Sequence, residues 1–278
     1  DYSSGPLHRR FVATWKWWAR LRDFQPDLVL DLLNTPQTAL WTWWTGATTR
    51  VGPRRRKRAW AYIVVVEDGT ETVCAGERFL DWRRALGRDP GPWRPHSEAA
   101  AEAAARRLSL DRDGRPLVLL NAGATWPAKA WPTGHFAKLA RRLGERCDVR
   151  LAWAPGEAGV RDAIVDGAGG AVRPVPATTL AELGAWAAHA DLVVTTDSGP
   201  KHVAVAMGTP TLTVFGSTAP RGWQPPGEAH RYLTNPVDCH PCDLRDCPVE
   251  GHPCQDGLEP ATVAAAAETM LEEGGLHA

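Results

Sequence analysis

The sequence lacks the features that mark several large classes of protein. No run of eighteen apolar residues occurs among its 278 residues, so the pattern predicts no membrane-spanning helix. The first residues, Asp1 to Pro6, do not lead into the apolar stretch that a secretion signal needs. Net charge is also absent, because 32 Lys and Arg balance 32 Asp and Glu. We therefore expect a globular protein of the cytoplasm.

The neutral total hides an uneven distribution of charge. Residues 1–115 hold 20 Lys and Arg against 14 Asp and Glu, a balance of +6, and residues 116–278 hold 12 against 18, a balance of −6. One basic run stands out in the first half: Arg54, Arg55, Arg56, Lys57 and Arg58. The run is either a solvated surface or a contact for an acidic partner.

Cysteine is scarce and is concentrated in one place. Cys74 and Cys147 are isolated, whereas Cys239, Cys242, Cys247 and Cys254 follow a Cys-x2-Cys-x4-Cys-x6-Cys pattern. Without a secretion signal, a set of disulfides is the weaker interpretation. Two alternatives stay open, a closed structural zinc site and four reduced thiols that pack as small apolar groups.

The second half alternates strand and helix patterns. Strands are predicted at 117–121, 149–154, 192–196 and 211–215, and helices at 133–143, 157–166, 180–189, 200–207 and 260–273. This alternation predicts an α/β fold with a parallel, doubly wound sheet.

The first half offers only two convincing strands, at 28–33 and 62–66, with helices at 37–45 and 77–86. A linker rich in Pro and Gly at 89–95 suggests domains at 1–95 and 96–259, followed by a terminal helix at 260–278. We expect at least half of the tryptophans at 15, 17, 18, 41, 43 and 44 to lie in a core. Because two strands are few for such a domain and no initiator Met is present, we expect N-terminal sequence to be missing.

The most informative stretch runs from Leu192 to His202. An apolar strand ends at Asp197-Ser198-Gly199, and a helix follows at once, with Ser198 placed to cap it and Gly208 to end it. A helix N-terminus at the carboxyl end of a strand is typical of an anion site, most often for phosphate.

Two further loops follow predicted strands and should open on the same sheet edge. The first carries Thr125 and Lys129, a hydroxyl and an ammonium suited to a diphosphate, and the second carries Glu157, whose carboxylate could accept the ribose hydroxyls. Taken alone, Lys129 could be a solvated loop lysine and Glu157 a favourable residue in a first helical turn. Their convergence with Ser198 and Gly199 on one edge favours a nucleotide-sugar site.

These motifs resemble those of family 9 glycosyltransferases, the ADP-heptose:lipopolysaccharide heptosyltransferases. The resemblance rests on Ala128 to Pro132, Pro155 to Glu157 and Asp197 to His202, and extends to Gly208 to Pro210, Asp27 to Asp31 and the cysteine pattern. It therefore spans most of the chain.

The resemblance implies a GT-B fold, with two Rossmann-like domains facing a cleft and the first domain incomplete here. It implies inverting transfer of heptose from ADP-heptose to the inner core of lipopolysaccharide, without a catalytic metal. Lys129 would then contact the donor phosphates and Glu157 the ribose, while Asp197, Ser198, Gly199 and His202 would line the phosphates and sugar. The basic run at 54–58 would meet phosphorylated lipid A or core sugars, in peripheral contact with the inner face of the inner membrane.

One departure from the family concerns the catalytic base. The family begins with an apolar strand and a Gly-Asp loop whose aspartate serves as the general base, and no such segment opens this sequence. We therefore expect the base upstream of Asp1 and no turnover by the chain as given.

Three alternative functions stay open. A GT-B sugar-nucleotide epimerase would need an acid–base pair of carboxylates, and none is evident. A zinc-knuckle module that binds nucleic acid is disfavoured because Asp238, Asp243, Asp246 and Glu250 make the cysteine segment acidic. A degenerate, non-catalytic relative is the third alternative.

Overall fold

The computed structural model describes residues 15, 17, 19–54, 57–67, 75–89, 105, 108, 110 and 114–275. The chain divides into two compact units, residues 1–93 and 94–278. Most of the predicted linker at 89–95 lies outside the described residues.

Unit 1 contains a three-stranded parallel sheet of order β1-β2-β3. Its strands and helices are β1 (Leu28–Leu30), α1 (Pro36–Trp44), β2 (Thr49–Pro53), β3 (Val64–Val66) and α2 (Ala75–Ala85). Helix α1 begins with a capping box, in which Thr35 accepts from the Thr38 backbone and Thr38 accepts from the Thr35 backbone. Asp31, directly after β1, accepts a 2.7 Å hydrogen bond from the buried Tyr62 hydroxyl and so anchors the turn.

Two expectations for unit 1 were wrong. Strand β2 was missed because Gly52 and Pro53 make it look like a turn. The tryptophans are not mainly core: Trp15, Trp17, Trp43 and Trp44 are exposed, and Trp18 lies outside the described residues. Among the described residues of this unit the apolar clusters are small, one around Ala39 and Tyr62 and the other around Val51 and Trp82, and they do not cover these indole rings.

Unit 2 contains a six-stranded, fully parallel sheet of order β6-β5-β4-β7-β8-β9. The strands are β4 (Leu117–Asn121), β5 (Asp148–Ala152), β6 (Arg173–Pro174), β7 (Leu192–Thr196), β8 (Thr211–Phe215) and β9 (His230–Thr234). The helices are α3 (Thr133–Leu143), α4 (Ala158–Ala168), α5 (Leu180–His189), α6 (Gly199–Ala206), α7 (Pro220–Trp223), α8 (Pro253–Asp256) and α9 (Pro260–Gly275). This is the doubly wound order of a Rossmann fold, and its strand order reverses between β4 and β7.

The predicted parallel α/β class is confirmed, and the four central strands lie where the sequence placed them. The edge strands β6 and β9 were missed. Strand β6 has two residues and ends in proline, and β9 reads His-Arg-Tyr-Leu-Thr, which is too polar to resemble a buried strand.

The core of unit 2 covers both faces of the sheet. One cluster joins Leu120, Val194 and Phe136 with residues of α9, and the other joins Leu119, Val193 and Trp186. Strands β4, β7 and β8 are buried along their whole length, as parallel strands between two helical layers must be. This rigid sheet holds the loops at its carboxyl edge.

In the part of the chain that the structure describes, no helix has both the length and the apolarity to cross a membrane.

Candidate functional site

A pocket of about 430 Å³ opens where the strand order reverses, at the carboxyl ends of β4, β5 and β7. Thr125, Glu157, Ser198 and Gly199 all line it, together with Gly123. Such a crevice is where open α/β sheets bind their ligands. The three loops singled out in the sequence thus meet at one edge.

Glu157 is fixed by the backbone around it. Its Oε2 accepts a 2.9 Å hydrogen bond from the Ala154 backbone N–H, and its backbone N–H donates to the Ala154 carbonyl at 2.8 Å. The other carboxylate oxygen packs on Gly123, where an added Cβ would lie 2.3 Å from Oε1. Only glycine allows this approach, which holds the carboxylate at the pocket wall.

The N-terminus of helix α6 borders the same pocket through Ser198, Gly199 and Pro200. The helix begins and ends close to the prediction, with Pro200 in its first turn and Gly208 at φ +77° after its end. Ser198 is the N-cap residue, as predicted, but its side chain makes no capping hydrogen bond and its Oγ instead donates to the Thr196 carbonyl at 3.4 Å. In this first turn Pro200 has no N–H and the Lys201 N–H donates to the Ser198 carbonyl at 3.2 Å, so the Gly199 N–H and the helix dipole are what the turn offers an anion.

Asp197 lies buried behind this turn and has three partners. Its Oδ2 accepts hydrogen bonds from Lys129 Nζ at 2.9 Å and Thr218 Oγ1 at 2.8 Å, and its Oδ1 pairs with Lys201 Nζ. Lys201 is fully buried, and its ammonium also lies 4.6 Å from the centroid of the Phe215 ring. Two cations therefore flank one buried carboxylate.

Electrostatics in this cluster shift two pKa values. Burial alone would raise the pKa of Asp197, but the charges and hydrogen bonds of Lys201 and then Lys129 outweigh it and hold the pKa below its usual range. His202 is exposed as a whole residue, but its ring is partly shielded from water by neighbouring protein atoms. This desolvation, followed by the charge of Lys201, lowers the pKa of His202. Asp197 is thus ionised and His202 neutral at pH 7.

Lys129 is not a solvated loop lysine. Only 15% of its side chain is exposed, and its ammonium lies 4.7 Å from the Trp126 ring centroid and 5.8 Å from that of Trp223. Indole faces attract a cation, so these rings and Asp197 hold the ammonium beside the Ser198 turn.

The structure brings the predicted residues together in two adjoining groups. Thr125, Glu157, Ser198 and Gly199 line the pocket. Asp197, the residue before Ser198, forms an ion pair with Lys129. Neither of these two residues nor His202 lines the pocket in the described structure. Sequence reasoning missed Lys201 and Thr218, although the i, i+4 spacing of Asp197 and Lys201 on a helix start is a signal for an ion pair.

The basic run in unit 1 is partly engaged within the unit. Arg54 pairs with Glu67 on the surface, and Arg58 donates a 2.8 Å hydrogen bond to the Asn34 carbonyl. Lys57 is exposed, while Arg55 and Arg56 lie outside the described residues. A role for this run stays a prediction.

The four clustered cysteines line one small cavity of about 50 Å³. Burial, and then the neighbouring Cys247, Cys239 and Cys242, raises the pKa of the Cys254 thiol to about 11. Across the described residues, no three His, Cys, Asp or Glu side chains are arranged to hold a metal ion as they stand. The zinc site stays a prediction.

The chain is similar to known proteins in family, sequence and structure. The model of glycosyltransferase family 9 (heptosyltransferase) matches residues 14–252. Lipopolysaccharide heptosyltransferase 1 of Pseudomonas aeruginosa is 29% identical over 271 residues, which cover 91% of this chain and 76% of the relative.

Solved structures share the fold. Escherichia coli ADP-heptose lps heptosyltransferase II superposes with a TM-score of 0.68 at 24% identity, covering 94% of this chain and 81% of that one. Escherichia coli heptosyltransferase WaaC with ADP-2-deoxy-2-fluoro heptose gives 0.66 at 20% identity, with the same coverages. Both agree with the expected GT-B fold class.

A family match that runs from one unit into the other, on a fold shared with solved heptosyltransferases, settles the assignment: this chain belongs to glycosyltransferase family 9, the heptosyltransferases.

Proposed function

We propose that the unit 2 pocket binds ADP-heptose, as the donor for inverting transfer of heptose to the inner core of lipopolysaccharide. The observation that carries the proposal is the meeting of a fixed carboxylate, Glu157, and an uncapped helix N-terminus at the strand-order reversal. The names of the relatives, a lipopolysaccharide heptosyltransferase and a heptosyltransferase solved with an ADP-heptose analogue, support the donor and the acceptor.

Each part of ADP has a matching part of the pocket. Leu180 and Leu183 give an apolar wall that suits adenine. The free lone pairs of Glu157 suit the ribose hydroxyls, and the first turn of α6 suits the diphosphate. Lys129 stands next to that turn and would reach the diphosphate by exchanging its bond with Asp197.

The same groups would promote the reaction. Breaking the bond between heptose and diphosphate leaves negative charge on the phosphate oxygens, and the N-terminus of α6 and Lys129 are placed to stabilise it. Ser198 and Gly199 would line the sugar side, with Asp197 behind the turn and His202 further along helix α6, and Thr125 would be a further donor to phosphate. This scheme uses no metal ion.

The basic run of unit 1 suits the lipid-linked acceptor. An acceptor carried on phosphorylated lipid would be approached from the inner face of the inner membrane, and the exposed charges of Arg54 and Lys57 suit an anionic surface. Binding to vesicles that contain anionic lipid should fall as salt is raised and fall further in Arg54→Ala/Lys57→Ala. Equal binding to neutral vesicles would remove this run from the proposal.

The rival functions have less support. Within the described lining of the pocket Glu157 is the one carboxylate, whereas an epimerase would need an acid and a base there. Membership of a glycosyltransferase family also disfavours a nucleic-acid module.

Calorimetric titration with ADP tests the donor site. Lys129→Ala and Glu157→Ala should each weaken ADP binding roughly tenfold, because each removes a charge-assisted hydrogen bond. Lys138→Ala, an exposed lysine on α3, is the matched control and should bind as the wild type does. Unchanged ADP affinity in both Lys129→Ala and Glu157→Ala would refute the assignment, and tighter binding of UDP than of ADP would refute the donor.

A further inference from the structure

The segment between strand β9 and helix α8 has no apolar core of its own that would stabilise its conformation. Residues 235–252, all of them described, form no helix or strand. Its larger apolar side chains, Leu244 and Val249, are 44% and 43% exposed. Irregular segments of this length inside a compact domain are uncommon unless they have a function or a covalent or metal clip.

Three thiols from this segment and the thiol of Cys254 in helix α8 line a single cavity. Cys239, Cys242, Cys247 and Cys254 line a space of about 50 Å³, which suits one ion and is too small for an organic ligand. None of the four forms a disulfide.

Two orphaned polar atoms border the same cavity. Within the described structure His240 Nε2 and Ser217 Oγ are buried and have no hydrogen-bond partner, and both residues line the cavity. Buried polar atoms without partners are costly and rare in native proteins. Their position indicates that the cavity receives a polar or charged occupant.

We propose that Cys239, Cys242, Cys247 and Cys254 bind one Zn²⁺ ion as thiolates. Four sulfur ligands that include a Cys-x2-Cys pair are the usual set for a closed tetrahedral zinc site, and binding releases the four thiol protons. The thiols must turn toward the centre of the cavity, and Cys247 gives up its 3.5 Å contact with the Val249 carbonyl. His240 Nε2, which borders the same cavity without a partner, would as an N–H serve as an outer hydrogen-bond donor to a thiolate.

The ion would also support the donor loop, because the segment holds the backbone next to Lys129. Ala128 N–H donates to the Arg245 carbonyl at 3.0 Å, and Gln255 Nε2 donates to the Lys129 carbonyl at 2.9 Å. His252 Nε2 lies 3.1 Å from the Ala128 carbonyl oxygen. All three partners belong to, or directly follow, the cysteine segment. The zinc site is therefore a positioning element for Lys129, a statement that rests on the proposed function.

Metal analysis of the purified protein tests the site without any assay of activity. We expect about one zinc per chain in the wild type and in Cys147→Ala, whose cysteine lies in the core away from the segment. Cys242→Ser and Cys239→Ser should lose the zinc. Thiol titration of the native wild type should find the four cysteines protected until a chelator is added. A metal-free wild type with four reactive thiols, zinc retained in both serine variants, or iron in place of zinc would overturn the proposal.

ADP titration tests the link to Lys129. Cys239→Ser, at an exposed position, and chelator-treated wild type should bind ADP roughly threefold to tenfold more weakly, because the loss of one hydrogen bond changes the binding free energy by that amount. The loss should vanish in a Lys129→Ala background. Unchanged ADP binding after zinc loss overturns the positioning role. Should Lys129→Ala itself bind ADP normally, the donor assignment fails while the zinc content still decides the metal site.

Discussion

At the scale of single residues, the least expected feature is Lys201. A fully buried ammonium is costly unless it is paired, and Lys201 pairs with Asp197, which Lys129 also contacts. This arrangement means that Asp197 keeps a positive partner even when Lys129 turns toward a phosphate. Lys201 therefore complements the donor site from behind it.

Replacing Lys201 tests this account. Lys201→Met should lower the free energy of unfolding by about 3 kcal/mol, because it strips a buried carboxylate of one of its two cations. Urea unfolding measures the change, with Lys138→Met as the exposed control. A wild-type urea midpoint in Lys201→Met would show that the pair contributes nothing.

Two buried carboxylates predict how stability depends on pH. Burial alone would raise the pKa of Asp148, but its bonds to Arg150 and Arg173 outweigh this and lower it, as the lysines do for Asp197. A carboxyl group with a lowered pKa in the folded state stabilises above its unfolded pKa of about 4, and this stability disappears as pH falls through the folded value.

Urea midpoints should therefore fall from pH 7 toward pH 3, and Asp148→Asn should flatten that slope. Asp166→Asn, at an exposed site on α4, should leave the slope intact. A slope that Asp148→Asn does not alter would contradict the linkage.

At the scale of elements, the loops after β4 and β5 fit together through one glycine. In Gly123→Ala the new Cβ would meet Glu157 Oε1, so the carboxylate must leave its place at the pocket wall. ADP binding should weaken roughly tenfold, as when Glu157 is removed.

Gly134→Ala is the control for this change, because the new Cβ on α3 meets no atom within 4 Å. It should leave ADP affinity unchanged and raise stability by about 0.5 kcal/mol. Equal ADP affinity in the two variants would mean that Gly123 does not position Glu157.

The strands differ in how well the sequence alone predicts them. Apolar runs such as Leu117–Asn121 and Leu192–Thr196 are readable because both sheet faces are covered. Two other strands, Thr49–Pro53 and Arg173–Pro174, cannot be recognised in the sequence, because pairing with neighbouring strands and not local preference makes them strands. The pocket edge was predictable from strand ends, whereas Lys201, Thr218 and the side chain of Ser198 depend on packing that no local pattern encodes.

At the scale of the molecule, the cores of the two units differ in extent. Unit 2 has buried clusters on both sheet faces, and the apolar clusters described in unit 1 are small. Within unit 2, amides of the central strands β4 and β7 should exchange with deuterium slowest, because opening them exposes both clusters. The two-residue edge strand β6 should exchange much faster. Uniform exchange across the sheet would contradict this description of the core.

The central claim is that one edge of the unit 2 sheet holds a nucleoside diphosphate. A crystal structure of the protein with ADP tests it most directly. We predict that the ribose hydroxyls donate to Glu157, that the diphosphate accepts from the first turn of α6, and that Lys129 has left Asp197 for a phosphate oxygen while Lys201 has not. ADP bound elsewhere, or bound here with Lys129 still paired to Asp197 and Glu157 free of the ribose, would contradict the account.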